Sequence, residues 1–225
     1  IVLEDLTEQR RLQAQRRLFE RMVSPAVIDE LDPDSIHFGG QRAQITTLFA
    51  DLRGYTSFSE KTPPEVLVSV LNRYLAQATE ALLQQEATID KFLGDAVMAW
   101  FNAPVLQDNH IHRAARAALA IRKGLADLHQ ELPPQWHLSF GIGIHTGEAL
   151  LGLVGAQERL EYTAVGESVN LAKRLQEAAA AGQILISQGT AEALGSDFDC
   201  RPVPPLSMPG ISKLVQAMEL IGQRS

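Results

Sequence analysis

Ile45 to Glu60 reads ITTLFADLRGYTSFSE, an apolar run that ends in Asp51 and opens into a turn rich in glycine and hydroxyls. Ile45, Leu48, Phe49 and Ala50 lack the strict alternation of a half-solvated strand, and the run is too short for a core helix. It therefore reads as a strand buried on both faces, with Asp51 at its end. Behind the aspartate, Gly54 permits a tight turn. The backbone amides of Tyr55, Thr56 and Ser57 are placed to converge, as amides do where a helix begins and an anion is held. A phosphate cradle beside a carboxylate is one reading. A strand, an Asx-type turn and a helix cap account for the same residues without a ligand. A second carboxylate further along shifts the balance.

Downstream, TPPEVLVSVLNRYLAQATEALLQQE predicts a helix. Thr62 and Glu65 are spaced as a capping box, Pro63 takes the first helical position, and Val66, Val70, Leu71, Tyr74, Leu75, Ala78 and Leu82 form one apolar stripe. Ala87 to Phe101, ATIDKFLGDAVMAWF, divides at Gly94 and Asp95 into two apolar segments, a hairpin whose turn carries the second carboxylate. Strand alternation places Ile89 and Lys91 on one face. A helix follows over DNHIHRAARAALAIRKGLADLHQEL, where His110 and His112 do not share a face and so make no metal pair.

HLSFGIGIHTG reads as a strand whose Gly141, Gly143 and Gly147 mark close packing or bends, because their spacing does not fit a dinucleotide fingerprint. ALLGLVGAQERLEYTAVG is an extended arm or hairpin, and GESVNLAKRLQEAAAAG a helix stopped by Gly182. QILIS is a short strand and TAEAL a short helix. The proline-rich tail from Arg201 ends in LVQAMELI, an expected edge strand.

Upstream, IVLEDL runs into the charged helix EQRRLQAQRRLFERM, which Pro25 terminates. Leu12, Phe19 and Ala26 recur every seven residues, as do Gln15 and Met22. That spacing suits a short two-stranded coiled coil and a solvated amphipathic helix alike. The expected division is a signalling helix over 1–23, a second short helix and linker over 24–40, and the main domain over 41–225. EDLTEQRRL resembles the exit from PAS-type sensory domains into a signalling helix, which implies a sensor upstream.

The 225-residue chain is 45% hydrophobic, enough to fill a core, and carries a net charge of −7. With no Lys/Arg block outside the first helix, that charge argues against a nucleic-acid surface and leaves small anionic ligands held with metal. Cys200 stands alone, so no internal disulfide forms, consistent with a reducing compartment. No apolar run reaches the roughly eighteen residues of a membrane helix, and no signal-peptide pattern opens the chain. A soluble, cytoplasmic domain is expected, with room for a membrane anchor before Ile1.

Strand, helix, hairpin, helix, strand, then a further helix and strand make an α+β fold, a split βαβ core with helices covering one sheet face and C-terminal αβ additions. In such a sheet Asp51 and Asp95 lie side by side at one end. Paired carboxylates suit Mg²⁺ or Mn²⁺ better than zinc. Two such ions, roughly 3.5–4 Å apart, could activate an attacking oxygen and steady a leaving one.

FADLRGYTSFSE, DKFLGDAVMAWF, GIGIHTGEALLG and YTAVGESVNLAKR, collinear across about Gln41 to Leu220, together resemble the catalytic domain of class III nucleotide cyclases. The resemblance implies a ferredoxin-like, palm-type sheet. It makes Asp51 and Asp95 the metal aspartates, with the Leu52 carbonyl a further ligand, beside the Gly54, Tyr55 and Thr56 turn. It makes Lys91 and Thr163 the purine readers, and Asn170 and Arg174 the pair that orients the ribose and stabilises charge on the α-phosphate. Asn170 and Arg174, four apart, do share a helix face, though on spacing alone a surface cation accounts for Arg174 equally well.

An ammonium at Lys91 can donate to adenine N1, and a hydroxyl at Thr163 can accept from the 6-amino group. Guanine would call for glutamate at position 91, so ATP is favoured over GTP. The implied activity is adenylate cyclase, forming 3′,5′-cyclic AMP and pyrophosphate by two-metal intramolecular phosphoryl transfer. The resemblance also implies a head-to-tail homodimer, each site taking Asp51 and Asp95 from one chain and Lys91, Thr163, Asn170 and Arg174 from the other. Thr163 stands where many relatives have aspartate and resembles a subgroup often stimulated by bicarbonate. For the family's terminal-phosphate lysine, Met208, Pro209 and Gly210 occupy the nearest match, leaving Lys213 as candidate. A guanylate or relaxed cyclase and a silent nucleotide-binding dimerisation module are the alternatives.

Overall fold

β1 (Gln41–Arg53) is central, and from Ile45 to Ala50 every residue is buried, as the reading of a strand buried on both faces predicts, Thr46 and Thr47 included. Leu48, Ala50 and Leu52 enter the core on one face, Ile45 and Phe49 a second cluster on the other. β1 pairs antiparallel with β3 (Ala96–Phe101) and with β4 (Ser139–Ala156), and β2 (Thr88–Leu93) lies outside β3. The order β2-β3-β1-β4 is the split βαβ core. β6 (Ile184–Ser187), parallel to β4, then β8 (Ala217–Gln223) and β7 (Phe198–Pro202) extend it. β5 (Arg159–Val165) pairs with the far part of β4 to form the expected arm.

This computed structural model describes residues 40–156, 159–209 and 214–224. The expected signalling helix, the second short helix and linker, and Lys213 lie outside the described residues. No helix among the described residues is long and apolar enough to cross a membrane.

α1 (Tyr55–Ser59) is one turn after β1. α2 (Pro64–Gln84) and α3 (His110–Glu131) cover the face of Leu48 and Ala50, burying Val70, Tyr74, Ala78, Leu82, Ile121 and Leu125. The shorter α4 (Glu167–Ala178) sits on the other face, where Val169 and Ala172 meet Ile45, Phe49 and Trp100. α5 (Gln188–Leu194) follows β6. The α4 contact is close. A Cβ on Gly143 would fall 2.1 Å from the Gln176 nitrogen and 2.4 Å from the Ala172 oxygen, so this glycine does mark close packing.

Two local expectations are corrected. α2 starts at Pro64 without a side-chain cap, and the Thr62 hydroxyl donates instead to the Phe58 carbonyl at 2.7 Å. Pro63 precedes another proline, which disfavours helical backbone there, and it adopts φ −56°, ψ 142°. LVQAMELI is also not the edge strand: β8 lies between β6 and β7, and the edge is β7. The short β7 has little apolar pattern to announce it and ends in Pro202, a residue that edge strands tolerate.

Candidate active site

β1 sets Asp51 opposite Ala96 of β3 and Gly141 of β4, while the β2–β3 turn carries Asp95. The Leu52 N–H donates to the Asp95 carbonyl at 3.4 Å, stitching strand to turn. Burial, and then the neighbouring Asp51 carboxylate, push the Asp95 carboxyl above its ordinary value; Lys173 and Arg53 oppose this. The two aspartates are therefore electrostatic neighbours at one end of the sheet, as expected.

Gly54 takes the left-handed conformation, φ 79°, that lets the chain leave β1 and enter α1 at once. The helical ladder begins with the Phe58 N–H on the Gly54 carbonyl at 3.0 Å, so the amides of Tyr55, Thr56 and Ser57 precede it. The Tyr55 phenol is pushed up by burial and then by Asp95, which places this turn beside the carboxylates.

Two cations missed in the sequence complete this group. Arg53 donates through Nη1 to Asp51 Oδ2 at 2.7 Å, through Nε to the Ala179 carbonyl at 2.8 Å, and through Nη2 to the Gln176 carbonyl. Lys173 on α4 holds Nζ 5.6 Å from the Phe49 ring centroid and donates to Gln176 Oε1 at 2.8 Å. Arg53 was within reach of sequence reasoning, because residues two apart on a strand share a face.

Lys91 and Thr163 form a second group around a residue the sequence did not single out. Thr163 donates its hydroxyl to Asp90 Oδ2 at 2.7 Å, Lys91 Nζ lies 3.8 Å from that oxygen, and Lys91 also pairs with Glu161 of β5. The Asp90 side chain is 1% exposed. Burial pushes its carboxyl up, against the opposing pull of the Thr163 bond and the Lys91 charge.

The expected common face for Ile89 and Lys91 is not observed. The ladder passes from Ile89↔Ala99 to Lys91↔Met98 with a bulge between them. Ala99 belongs to the α2–α3 layer and Met98 to the α4 layer, so the extra residue, Asp90, turns Lys91 to the opposite face.

Asn170 and Arg174 stand on α4. Asn170 is exposed, and half-buried Arg174 donates to Glu177 of its own helix at 2.6 Å. The chain thus gathers Asp51, Asp95 and the Tyr55 turn in one place, and Lys91 with Thr163 in another, while Arg174 bonds within α4. Met208 is buried. His110 and His112 go to separate partners, Thr46 at 2.7 Å and Asp197 at 3.7 Å.

The donor set at Asp51 and Asp95 fits a divalent cation. It is all oxygen and half-buried, the hard-donor chemistry that Mg²⁺ or Mn²⁺ takes, with Arg53 already paired to Asp51.

A family model described as the adenylate and guanylate cyclase catalytic domain matches residues 40–220. Adenylate cyclase 1 of Rhizobium meliloti is 35% identical over 198 residues, which cover 84% of this chain and 30% of that protein. The chain thus spans under a third of that relative. Among solved structures, the adenylyl cyclase CyaB from P. aeruginosa superposes with a TM-score of 0.77 at 36% identity, covering 82% of this chain and 96% of that one. The guanylyl cyclase Cya2 superposes with a TM-score of 0.75, also at 36% identity, covering 83% of this chain and 96% of that one.

Proposed function

The chain belongs to the family of adenylate and guanylate cyclase catalytic domains, and from that premise we propose that it is an adenylate cyclase, converting ATP to 3′,5′-cyclic AMP and pyrophosphate. The observation that carries adenine over guanine is the gathering of Lys91 and Thr163 on one carboxylate. The Lys91 ammonium donates to adenine N1, and the Thr163 oxygen accepts from the 6-amino group. Guanine presents a carbonyl and an N1 proton at those points.

Asp51 and Asp95, with the Leu52 carbonyl, would hold Mg²⁺ or Mn²⁺. Such ions supply a more acidic ribose 3′-hydroxyl and charge neutralisation on the phosphates. The amides of the Gly54, Tyr55 and Thr56 turn hold phosphate oxygens, with Lys213 the candidate for the terminal ones and a plain surface lysine the alternative. Asn170 orients the ribose, and the Arg174 guanidinium stabilises charge developing on the α-phosphate.

The sites are shared across a head-to-tail homodimer, Asp51 and Asp95 of one chain facing Lys91, Thr163, Asn170 and Arg174 of the other. Support comes from Arg174, which bonds to Glu177 on its own helix rather than to the aspartates of its own chain. ATP as substrate places the domain in the cytoplasm, where an upstream PAS-type sensor would act through residues 1–23 and bicarbonate would raise the rate. A second reading, a guanylate or relaxed cyclase, is favoured by the equal identity to Cya2 and CyaB.

The test is cyclic product formation from ATP and from GTP, with Mg²⁺ and with Mn²⁺, across protein concentrations. Cyclic AMP from ATP, at a specific activity that rises with dimerisation, is expected. Comparable product from GTP would move the assignment to the relaxed cyclase, and no product from a folded dimer that binds ATP would move it to a silent module. Mixing Asp51→Ala with Asn170→Ala chains should restore activity to two inert parents.

A further inference from the structure

We propose that Asp90 fixes the hydrogen-bond polarity of the base pocket, so that the Thr163 oxygen can only accept. The inference rests on Lys91 and Thr163 contacting the purine. A free threonine hydroxyl rotates, and it donates to a 6-oxo group as readily as it accepts from a 6-amino group. On its own, then, it discriminates little between adenine and guanine.

Asp90 removes that freedom. The Thr163 hydroxyl donates to Asp90 Oδ2 at 2.7 Å, which commits its hydrogen to the carboxyl group and leaves its lone pairs for the ligand. The same carboxylate stands 3.8 Å from the Lys91 ammonium, a group that only donates. The pocket then presents one obligate acceptor and one obligate donor, the complement of the adenine 6-amino group and N1. A 6-oxo purine would set oxygen against oxygen. Asp90 acts through its neighbours and is a positioning residue.

The backbone supports a dedicated role. Asp90 is the extra residue of the β2 bulge, and its side chain is 1% exposed at a position where strand alternation alone would not lead one to expect a buried charge. A buried carboxylate is unfavourable unless hydrogen-bonded and paired, and here Thr163 and Lys91 do both.

The test compares kcat/KM for ATP, GTP and purine riboside triphosphate, which lacks the 6-amino group, in the unsubstituted chain, Asp90→Asn and Thr163→Val. The Asp90→Asn carboxamide can donate to Thr163 and release its hydrogen toward the ligand. The preference for ATP over both other nucleotides is expected to fall at least about tenfold, roughly one hydrogen bond's worth of discrimination, with GTP turnover rising in absolute terms. A purely structural tie between β2 and β5 would lower all three rates in parallel and keep the ratios, overturning the proposal.

Thr163→Val separates the two layers. If it reduces the preference for ATP over purine riboside triphosphate while Asp90→Asn does not, the role of Asp90 falls and the pocket stands. If Thr163→Val leaves that preference intact, the pocket reading falls and the role of Asp90 with it. Should Asp90→Asn not fold, Asp90→Ser is the second variant, with the same fall in preference expected and the same unchanged ratios overturning the proposal.

Discussion

Arg53 and Asp51, neighbours on one face of β1, are joined by a 2.7 Å bond from Nη1 to Oδ2, and the same guanidinium caps the last turn of α4 at Gln176 and Ala179. One cation therefore orients a proposed metal carboxylate and closes the C-terminus of the helix that carries Asn170 and Arg174. Cations are favoured at that end of a helix.

Removing this fork should cost both stability and rate. Arg53→Met is expected to lower unfolding free energy by about 1.5–3 kcal/mol, the range for hydrogen bonds to charged groups. Arg53→Lys keeps the charge without the planar fork and should recover only part of the loss. Urea melts and cyclic AMP formation at saturating Mg²⁺ check both. Full activity in Arg53→Met would show that Asp51 orients without it.

Gly143→Ala tests the seat of α4. The added methyl would meet helix backbone at 2.1 and 2.4 Å, which cannot swing aside as a flexible side chain could. A destabilisation at or above the usual overpacking range of about 1–3 kcal/mol is expected, with activity lost because Asn170 and Arg174 ride on the displaced helix. A thermal melt within a degree or so of the unsubstituted protein would show that the helix yields easily.

Acid should destabilise the domain through two histidines. Burial holds the imidazoles of His145 and His110 below their ordinary value, and their Nδ1 atoms pair with Ser187 Oγ and Thr46 Oγ1, each at 2.7 Å. A base whose folded pKa is depressed contributes stability above its unfolded value, about 6.5, and loses it as pH falls through the folded value. Asp90 and Asp95 carry the opposite sign, since raised carboxyls favour the fold at low pH and lose that contribution as pH rises. Urea midpoints at about pH 7.5 and about pH 5.5, compared with those of His145→Gln, isolate the histidine part. The drop should be shallower in the variant.

Tyr74→Phe should separate stability from chemistry. The Tyr74 hydroxyl donates to the Trp136 carbonyl at 2.8 Å and accepts from the Leu138 N–H at 2.8 Å, inside the α2–α3 layer. Losing it strands both backbone groups at about 1–3 kcal/mol. Turnover well below the melting temperature should be unchanged, because this layer is on the face opposite α4.

The strand of Asp51 was legible because burial on both faces removes the alternation of a half-solvated strand, and Asp95 because it breaks an apolar stretch at a glycine. α2 was legible from its stripe, although its start was not, because the Pro63–Pro64 pair overrode the capping pattern. The face of Lys91 was hidden because a bulge shifts register without changing composition. Asp90 was not legible, because its burial and its bond to Thr163 follow from that same bulge and from pairing with a segment more than 70 residues away. Arg53 was visible beside Asp51, but its bonds to Gln176 and Ala179 span more than 120 residues and no local pattern encodes them.

α4 is pinned twice, along its length by the glycine seat at Gly143 and at its end by Arg53. It is therefore expected to travel with β1 and β4 as one stiff body, so that the span from Asp51 to Arg174 within a chain would act as a fixed ruler. Whatever opens and closes around a nucleotide must do so by moving such bodies past one another or by bending the hairpin and arm. A pair of spin labels reporting the β1–α4 separation should read the same distance with and without bound nucleotide.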